Sequence, residues 1–467
     1  MSYEVVVVGG GVGGLTAAAL LAARGFKVCL LERQSEVGGC IATIEHSGRR
    51  FKPTHGLYSG WESGGIYECL FSALRTSGPR AYPQSTGYVV RLPDGIEIPR
   101  TTQIDDFETH LGSAFPECAA AAIDFYRGLA KFTERKTESE SNIAAHLSGC
   151  SPRFQRFVDV QLQTLAQGSS DECSYELAAS ALAPQRQFWS IEGGAQTLVD
   201  TLAKLFKQSG GTLRLNSTVL RLAYGSNEVP IGVDLLSGEQ VIATRAIISN
   251  LTIWDTYGKL IGPARTPRHV SSRLKDLRAW GAYQMFVTMN ESVASALPLR
   301  PILALTDWQE NQPYDPEHAQ LVFSAASVAA KDTAEALPAA VVSAYTNAED
   351  WFSFHEDHAA HEERDQAMLE RVWSRMHRAI PELGGEIELI ETATPQTYYE
   401  ATRRRFGMIG RITPAFGLSR EKGFAAPYPN VFLVGDTVSE GLGLESVIQS
   451  AWNIANEIAP ILIGNRP

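Results

Sequence analysis

The 467-residue sequence has few cysteines, no excess of positive charge and, beyond its N-terminal stretch, no long uncharged apolar run. Its six cysteines are widely spaced and form no CxxC pair, which is typical of a reducing compartment and predicts no disulfide framework. Its 41 basic and 52 acidic side chains give a formal net charge of −11, so binding to nucleic acid is not expected. No run of about 18 uncharged apolar residues predicts a membrane span. We expect a cytoplasmic protein, and peripheral membrane contact stays open.

The composition is that of a folded globular protein, with 44% apolar and 20% charged residues. The length suggests roughly two to three domains. The apolar residues 3–31 resemble a signal peptide at first sight, but they begin with Glu4 and contain five glycines between Gly9 and Gly14. This stretch therefore predicts a strand, a turn, a helix and a second strand.

A glycine-rich turn follows the first predicted strand. Residues 4–8 are mostly β-branched, and the GxGxxG pattern comes directly before the alanine- and leucine-rich residues 15–23. Gly9 permits the tight turn, Gly11 lets the backbone approach a pyrophosphate, and Gly14 lets the helix pack closely on the strand. The free N–H groups at the helix N-terminus favour an anion. We expect a dinucleotide to contact Gly9, Gly11, Val12, Gly13 and Gly14.

An acidic residue ends the second predicted strand, eighteen positions after Gly14. The carboxylate of Glu32 can accept hydrogen bonds from both ribose hydroxyls and would repel a 2′-phosphate, so NADP is disfavoured. Six residues further on, the pair Gly38-Gly39 resembles the flavoprotein extension of this fingerprint and favours FAD over NAD. From this part of the chain we expect the cofactor to contact Glu32, Arg33, Gly38, Gly39 and Cys40.

The same order of elements recurs near the C-terminus. Residues 430–434 predict a short apolar strand, followed by Gly435-Asp436, a glycine loop at 441–443 and a helix with an apolar face from about 444 to 458. A carboxylate directly after a strand can bind the ribityl chain or the phosphate edge, and the helix N-terminus stabilises the negative charge of reduced flavin. The expected contacts are Gly435, Asp436, Gly443, Leu444 and Val447.

Together, the two ends of the chain resemble the FAD-binding phytoene desaturase and amine oxidase superfamily. The resemblance covers most of the sequence. Residues 192–198 and 210–219 are similar to an internal segment of that superfamily. There the resemblance implies that Val219 contacts the adenine side through its backbone. Residues 246–250 look like the strand that returns the chain from the FAD-binding domain.

Further motifs resemble the polyene branch of this superfamily, which includes retinol saturases and carotenoid isomerases. They are Gly38-Gly39-Cys40 with Phe51, Gly56 and Tyr58, the blocks 394–398 and 407–410, and Gly435-Asp436-Thr437. Thr54, Glu440 and the pair Leu444-Glu445 depart from the family pattern. The resemblance implies an FAD-dependent oxidoreductase that acts on carbon–carbon bonds of a carotenoid or other isoprenoid. The reaction would be desaturation, saturation or flavin-assisted isomerisation.

The predicted fold class is α/β, with a discontinuous Rossmann-type FAD-binding domain, an α+β substrate domain and a helical lid. Residues 278–290, 318–330 and 339–346 have the alternating or β-branched apolar pattern of strands that would wall a substrate tunnel. The expected boundaries are 1–75, 186–250 and 410–467 for the FAD-binding domain, 76–185 for the lid and 251–409 for the substrate domain.

The expected substrate is a hydrophobic small molecule held in a dry site beside the flavin. Glu445 and Glu440, near the predicted helix start, and His55 and Tyr58, in the first lobe, are the candidate acids or bases. For Glu445 the competing interpretation is an ordinary carboxylate at a helix N-terminus. No second GxGxxG follows, so the electron acceptor stays open between oxygen, a quinone and a nicotinamide.

Two other functions stay open at this point. A flavin amine oxidase that uses oxygen would need a lysine near the flavin and an aromatic cage, and neither can be located in the sequence. A non-redox enzyme would isomerise its substrate without changing its oxidation state.

No metal site is predicted, since His355, His358 and His361 drift around a helix at their spacing of three. Arg403 to Arg405 with Arg411 are interpreted as a solvated basic face rather than a site for an anionic or quinone partner.

Overall fold

The computed structural model describes most of the chain. The described residues are 1–42, 44–46, 49–51, 55–135, 142–298, 300–329, 336–352, 357–410, 412–413, 426–439 and 441–464. Four residues that the sequence singles out lie outside them, namely Thr54, His355, Arg411 and Glu440. The candidate acid or base Glu440 therefore stays a prediction.

Strands of two large sheets and the helices that cover them alternate along the chain. The strands are β1 (Ser2–Val8), β2 (Val28–Leu31), β3 (Ile44–His46), β4 (Arg49–Phe51), β5 (Ala81–Gln84), β6 (Thr86–Arg91), β7 (Glu97–Thr101), β8 (Phe188–Ile191), β9 (Thr212–Arg214), β10 (Val219–Tyr224), β11 (Pro230–Leu235), β12 (Gln240–Ser249), β13 (Arg278–Met289), β14 (Ile302–Leu305), β15 (Gln320–Ala329), β16 (Ala336–Asn347), β17 (Ile387–Ala393), β18 (Ile412–Thr413) and β19 (Val431–Leu433). The helices are α1 (Val12–Ala23), α2 (Ile66–Ala73), α3 (Ile104–Ala114), α4 (Ala119–Arg135), α5 (Pro152–Ala166), α6 (Tyr175–Leu182), α7 (Ala195–Gln208), α8 (Ile253–Asp255), α9 (Arg268–Asp276), α10 (Glu291–Ala296), α11 (Pro316–Ala319), α12 (His358–Ala379), α13 (Pro395–Thr402) and α14 (Gly443–Gly464).

The first sheet carries the N-terminal glycine turn. Its strand order is β10-β11-β12-β1-β2-β9, with β19 beside β12. Strands β19, β12, β1, β2 and β9 run parallel, whereas β10, β11 and β12 form an antiparallel meander. The valines of β1 are buried on both faces of the sheet. Val5 and Val7 pack against α1, α7 and α14, while Val6 and Val8 pack against the segment that follows β12.

This sheet is assembled from three separated parts of the chain. Its strands come from residues 2–31, 212–249 and 431–433. Each part lies within one of the three segments expected for the FAD-binding domain. The domain boundaries themselves stay a prediction.

The second sheet has the strand order β17-β13-β16-β15-β14-β6-β7, with β18 beside β13. The three segments with a strand pattern in the substrate region overlap β13, β15 and β16, which pair antiparallel at the centre. One face of this sheet packs against α12 through Met368, Val372 and Met376. On the other face, Leu303 and Val322 pack into a core shared with helices α3 to α6.

Residues 76–185 contain the expected helices α3 to α6, but they also contain β5, β6 and β7. Strand β6 pairs with β14, so the β6–β7 hairpin extends the second sheet. Its turn consists of Pro93-Asp94-Gly95, with a φ of +84° at Gly95. The purely helical interpretation of the lid is therefore wrong here. The apolar run Tyr88 to Val90 followed by a turn sequence indicates the hairpin.

Phe154 lies at the centre of the helical layer. It is fully buried in α5, and its ring packs edge to face with Phe115 and Phe125 at centroid distances of 5.2 and 5.9 Å. We expect Phe154→Ala to lower the free energy of unfolding by about 3–5 kcal/mol, because it leaves a cavity that its neighbours fill only in part. Urea denaturation measures this change.

Ile104→Ala is the matched control, since Ile104 begins α3 but is 44% exposed. Its effect on the free energy of unfolding should stay within about 0.5 kcal/mol. Equal effects of the two substitutions would contradict the shared core of α3 to α6.

Candidate active site

A cavity of about 1200 Å³ lies between the two large sheets, where β1, β2, β12 and β19 end. Cavities for single ligands are usually about 300–1,000 Å³, so this one has room for a cofactor and a substrate together. We call the part lined by Gly9 to Gly13, Glu32, Gly38-Gly39 and Gly435 the glycine end. The apolar end is lined by Leu57, Tyr58, Leu165, Phe188, Tyr345, Ile409 and Leu442.

The backbone of the first glycine turn comes close to the side chain of Asn250. Gly9 has a φ of +100°, and no side chain caps α1 at Gly11. A Cβ at Gly11 or Gly13 would lie 2.7 Å from the Asn250 amide. A Cβ at Gly14 would lie 2.1 Å from the carbonyl oxygen of Gly9, so Gly14 permits the close packing of helix on strand. The glycines at the start of α1 therefore leave room for the Asn250 amide to approach the backbone.

Asn250 is a site residue that the sequence reasoning missed. It directly follows β12, and its backbone N–H donates to the carbonyl of Val8 at 2.9 Å. With the side-chain amide oriented to suit its neighbours, Oδ1 accepts hydrogen bonds from the N–H groups of Gly11 and Gly14 at 3.3 Å each. The available signal was an asparagine directly after a buried strand that lies beside the glycine turn.

Glu32 faces the glycine end from the end of β2. Its Oε2 accepts a hydrogen bond from the N–H of Gly10 at 2.6 Å, and its Oε1 accepts one from Gln34 at 2.8 Å. A carboxylate has about four acceptor positions, so positions remain for ribose hydroxyls. Arg33 also lines the cavity and donates to the carbonyl of Ala401 at 3.1 Å.

The second glycine pair packs against the first glycine turn. Gly38 and Gly39 have φ values of +128° and +62°. The N–H of Gly38 donates to the carbonyl of Gly10 at 2.9 Å, and a Cβ at Gly39 would lie 3.4 Å from Cα of Gly11. Cys40 follows in the cavity wall, where burial raises the pKa of its thiol. That thiol is therefore neutral at pH 7 and is not an activated nucleophile.

Asp436 follows β19, as expected, and lines the cavity. Its Oδ2 and Oδ1 accept hydrogen bonds from the Arg404 guanidinium at 2.8 and 3.3 Å. The sequence interpretation of the arginine cluster as a solvated face is wrong for Arg404, because its side chain is 17% exposed and lines the cavity. Spacing alone does not distinguish Arg404 from the arginines on either side.

Helix α14 begins at Gly443, and Leu444 and Val447 line the cavity near its start. The helix approaches the first glycine turn closely, since a Cβ at Gly13 would lie 3.3 Å from Cγ1 of Val447. Val219, the first residue of β10, lines the cavity beside Lys259.

The structure thus brings most of the predicted cofactor contacts to one cavity. Gly14 is the exception, because it packs behind the turn. That each of the others contacts the cofactor stays a prediction. Those that line the cavity are Gly9, Gly11, Val12, Gly13, Glu32, Arg33, Gly38, Gly39, Cys40, Val219, Gly435, Asp436, Gly443, Leu444 and Val447.

Two of the candidate acids or bases, His55 and Tyr58, also line the cavity. Nδ1 of His55 lies 3.1 Å from Oγ of Ser324 on β15. Burial lowers the pKa of His55 from 6.5 to about 4, so its imidazole is neutral at pH 7. Tyr58 is 8% exposed and packs beside Ile191.

Glu445 lies outside the cavity lining. Its Oε2 accepts hydrogen bonds from Oγ of Ser59 at 2.6 Å and from Nη2 of Arg186 at 3.0 Å. These contacts join the segment before α2 to the start of α14. These contacts favour the competing interpretation of Glu445 as a helix N-terminal carboxylate in an ion pair, and a role as acid or base stays a prediction.

These residues fit an FAD cofactor. The glycine turn at the start of α1, the second glycine pair and the carboxylates of Glu32 and Asp436 surround one cavity. The chain belongs to the family of flavin containing amine oxidoreductases, whose model matches residues 12–459. It is an FAD-dependent oxidoreductase of α/β fold, which confirms the predicted fold class and cofactor.

Among known proteins, the chain is similar to the chloroplastic prolycopene isomerase of Arabidopsis thaliana, with 24% identity over 98% of this chain and 82% of that protein. The all-trans-retinol 13,14-reductase of Macaca fascicularis is 24% identical over 96% of this chain and 84% of that protein. The crystal structure of an oxidoreductase from Methanosarcina mazei has a TM-score of 0.71 at 16% identity. The structural alignment covers 98% of this chain and all of the Methanosarcina mazei chain, so the two proteins share a fold.

Two further findings concern the part of the chain that the structure describes. None of its helices is long and apolar enough to cross a membrane. No group of three or more histidine, cysteine, aspartate or glutamate side chains in it is placed to hold a metal ion.

The close approach at Gly13 gives a test of the glycine end. We expect Gly13→Ala to weaken FAD binding by roughly tenfold or more, because the new methyl group displaces the Asn250 amide from the turn. Flavin absorbance retained after dialysis against graded FAD concentrations measures this effect. In the control Gly112→Ala, a Cβ meets nothing within 4 Å, so FAD binding should be unchanged.

The buried His55 predicts a pH dependence of stability. In the unfolded chain histidine takes up a proton below about pH 6.5, whereas the folded protein keeps His55 neutral down to about pH 4. Stability is therefore lost as the pH falls through this range, by about 2 kcal/mol between pH 7 and pH 5. We expect His55→Gln to lose correspondingly less stability on acidification. Urea denaturation at both pH values checks this, and equal losses in both proteins would contradict it.

Proposed function

We propose that the enzyme acts on carbon–carbon bonds of a carotenoid or other isoprenoid polyene, by desaturation, saturation or flavin-assisted isomerisation. The observation that carries this proposal is the apolar end of the cavity. Most of its residues pack against the buried core between the second sheet and helices α3 to α6. A wall of this kind binds an extended hydrocarbon through burial of apolar surface.

Three polar side chains that line the cavity are neutral at pH 7. Burial raises the pKa of Tyr345 and of Tyr398 above that of an ordinary tyrosine, and His55 is neutral as described above. The guanidinium of Arg186 is paired with Glu445. This arrangement favours a neutral substrate over a charged one.

The relatives support a polyene. One is named for the isomerisation of prolycopene and another for the reduction of all-trans-retinol, and each is matched over nearly the whole of this chain. At 24% identity these names support the class of substrate and leave open which of the three reactions takes place.

The chain and the cofactor have separate tasks in this proposal. FAD, when bound, supplies the two-electron chemistry for hydride transfer. The apolar end orients the polyene and excludes water. Tyr58, Tyr398 and His55 are described groups of the cavity that can hold a proton for a polyene carbon. The Tyr398 hydroxyl donates to Oε1 of Gln284, whose Nε2 donates to Oγ of Ser343 at 2.8 Å.

Amine oxidation has less support from the cavity. Lys259 lines it, but Nζ lies 2.7 Å from Oδ1 of Asp255, in the segment that packs against β10 at the adenine side. The carboxylates among the described lining residues all belong to the glycine end or to that ion pair, so none faces an ammonium at the apolar end. They are Glu32, Glu36, Asp255 and Asp436.

A polyene substrate is stored in lipid, so the proposal includes peripheral contact of an otherwise cytoplasmic enzyme with a membrane. The electron acceptor is proposed to be oxygen, a quinone or a nicotinamide. A non-redox isomerase remains the second candidate, since one relative is named as an isomerase.

An anaerobic absorbance titration tests the proposal. The oxidised holoenzyme is titrated with a panel of polyenes and, separately, with amines, while the flavin and polyene bands are followed together. Flavin bleaching with a red-shifted polyene band is expected for desaturation, and an altered polyene band with unchanged flavin is expected for isomerisation. Saturation is expected to appear when chemically reduced enzyme is titrated.

Leu165→Asp places a carboxylate in the apolar end, and we expect it to abolish the polyene response while FAD stays bound. Leu236→Asp is the matched control, because Leu236 is 68% exposed and lies outside the cavity lining. Bleaching by amines with no response to any polyene in either redox state would contradict the proposal.

A further inference from the structure

One member of the basic run Arg403-Arg404-Arg405 lies in the cavity wall. Besides its two hydrogen bonds to Asp436, Arg404 donates through Nε to the carbonyl of Met408 at 3.1 Å and through Nη2 to the carbonyl of Gly410 at 3.2 Å. The side chains of Arg404 and Asp436 are 17% and 19% exposed. The pair is bidentate, so it fixes the plane of the carboxylate as well as its position.

The flanking arginines face outward. Arg403 lies at the exposed rim of the cavity, with its guanidinium 4.9 Å from the ring centroid of Tyr399. Arg405 pairs at 3.4 Å with Glu349, whose side chain is 59% exposed. Arg404 and Arg405 therefore offer two adjacent arginines in different environments.

The backbone around Arg404 is strained. Arg403 and Phe406 have φ values of +56° and +50°, and both are side-chain-bearing residues in the left-handed region. A Cβ at Gly407 would lie 1.7 Å from the carbonyl oxygen of Pro395, so the segment packs tightly against α13. Strain of this kind persists where the surroundings hold it, and it often accompanies a functional contact.

The other titratable groups around Arg404 and Asp436 do not supply a second cation for the Asp436 carboxylate. Cys40, in the turn after β2, is a neutral thiol because burial raises its pKa. Asp255 on α8 is paired with Lys259 at 2.7 Å. Although burial by itself lowers the pKa of Arg404, the charge and hydrogen bonds of Asp436 and the charge of Asp255 raise it above the ordinary value. Among the residues that the structure describes, Arg404 is thus the cation that pairs with Asp436.

We propose that Arg404 is a positioning residue for FAD, which holds the Asp436 carboxylate in the orientation of a hydrogen-bond acceptor for the ribityl hydroxyls. The ion pair reduces the repulsion between the Asp436 carboxylate and the phosphates of the cofactor. A carboxylate beside a cofactor that carries two phosphate charges repels it, whereas a carboxylate neutralised by a guanidinium accepts hydrogen bonds without adding net charge. This inference goes beyond the proposed function, since it concerns the cofactor and does not depend on the substrate.

Removal of the guanidinium leaves the Asp436 carboxylate without its charge partner beside the cofactor. In Arg404→Met this carboxylate repels the FAD phosphates and is no longer held in one orientation, so FAD binding should weaken. In the double variant Arg404→Met with Asp436→Asn the repulsion is removed while an acceptor oxygen remains, so part of the FAD binding should return.

The experiment measures FAD dissociation constants by flavin fluorescence after equilibrium dialysis of the holoenzyme. We expect Arg404→Met to weaken binding by at least about tenfold, because one partner of a buried pair is left alone. The double variant Arg404→Met with Asp436→Asn should bind FAD more tightly than Arg404→Met, and Arg405→Met should match the native protein.

Two outcomes would overturn the proposal. The first is native FAD affinity of Arg404→Met, which shows that Arg404 has no role in FAD binding. The second is an equal loss of affinity in Arg404→Met and in the double variant, which indicates a merely structural role. Should Arg404→Met fail to fold, Arg404→Lys carries the test, because it keeps the charge and loses the bidentate geometry. It should bind FAD more weakly than the native protein, and native affinity of Arg404→Lys would contradict the proposal.

Discussion

The site depends on backbone meeting backbone at the ends of parallel strands. The turn after β1 hydrogen-bonds to the turn after β2 through Gly10 and Gly38. It also approaches the turn after β19, since a Cβ at Gly13 would lie 3.4 Å from the backbone nitrogen of Gly435. These contacts bring the main chain of three turns into one wall of the cavity, where N–H groups favour an anionic cofactor. The order and register of the first sheet determine that wall, because they determine which strand ends lie side by side.

The parts of the site that depend on local sequence could be predicted, and the parts that depend on tertiary contacts could not. A glycine at a strand-to-helix turn and a carboxylate after a strand are local patterns, and Gly9, Glu32 and Asp436 follow them. Asn250 acts on a turn more than 230 residues earlier in the chain, and its role follows from the pairing of β12 with β1. Arg404 stands among three consecutive arginines, and the left-handed turn around it decides which one faces inward.

Glu445 is a case in which a local sequence pattern fits two different roles. A carboxylate in the first turn of a helix near a flavin satisfies the sequence criteria for an acid or base, and it equally satisfies the criteria for a helix N-terminal charge. The second role is favoured by Arg186, which is distant in sequence and lies within hydrogen-bond distance in space. The β6–β7 hairpin differs, because its apolar run and its Pro-Asp-Gly turn are local signals within a region dominated by helical patterns.

The two ends of the cavity divide the work of recognition between different forces. Toward the glycine end two ion pairs line the cavity, Arg404 with Asp436 and Lys259 with Asp255, so these side chains can orient a cofactor without adding net charge. At the apolar end the wall is mostly hydrocarbon and burial keeps His55 neutral, so binding there comes from apolar area at roughly 25 cal/mol per Å². Such a wall discriminates weakly between ligands that differ by a methylene, with about 1–3 kcal/mol available for each. The length and shape of the cavity, rather than a charged anchor, would then decide which carbon–carbon bond of a long chain lies beside the flavin.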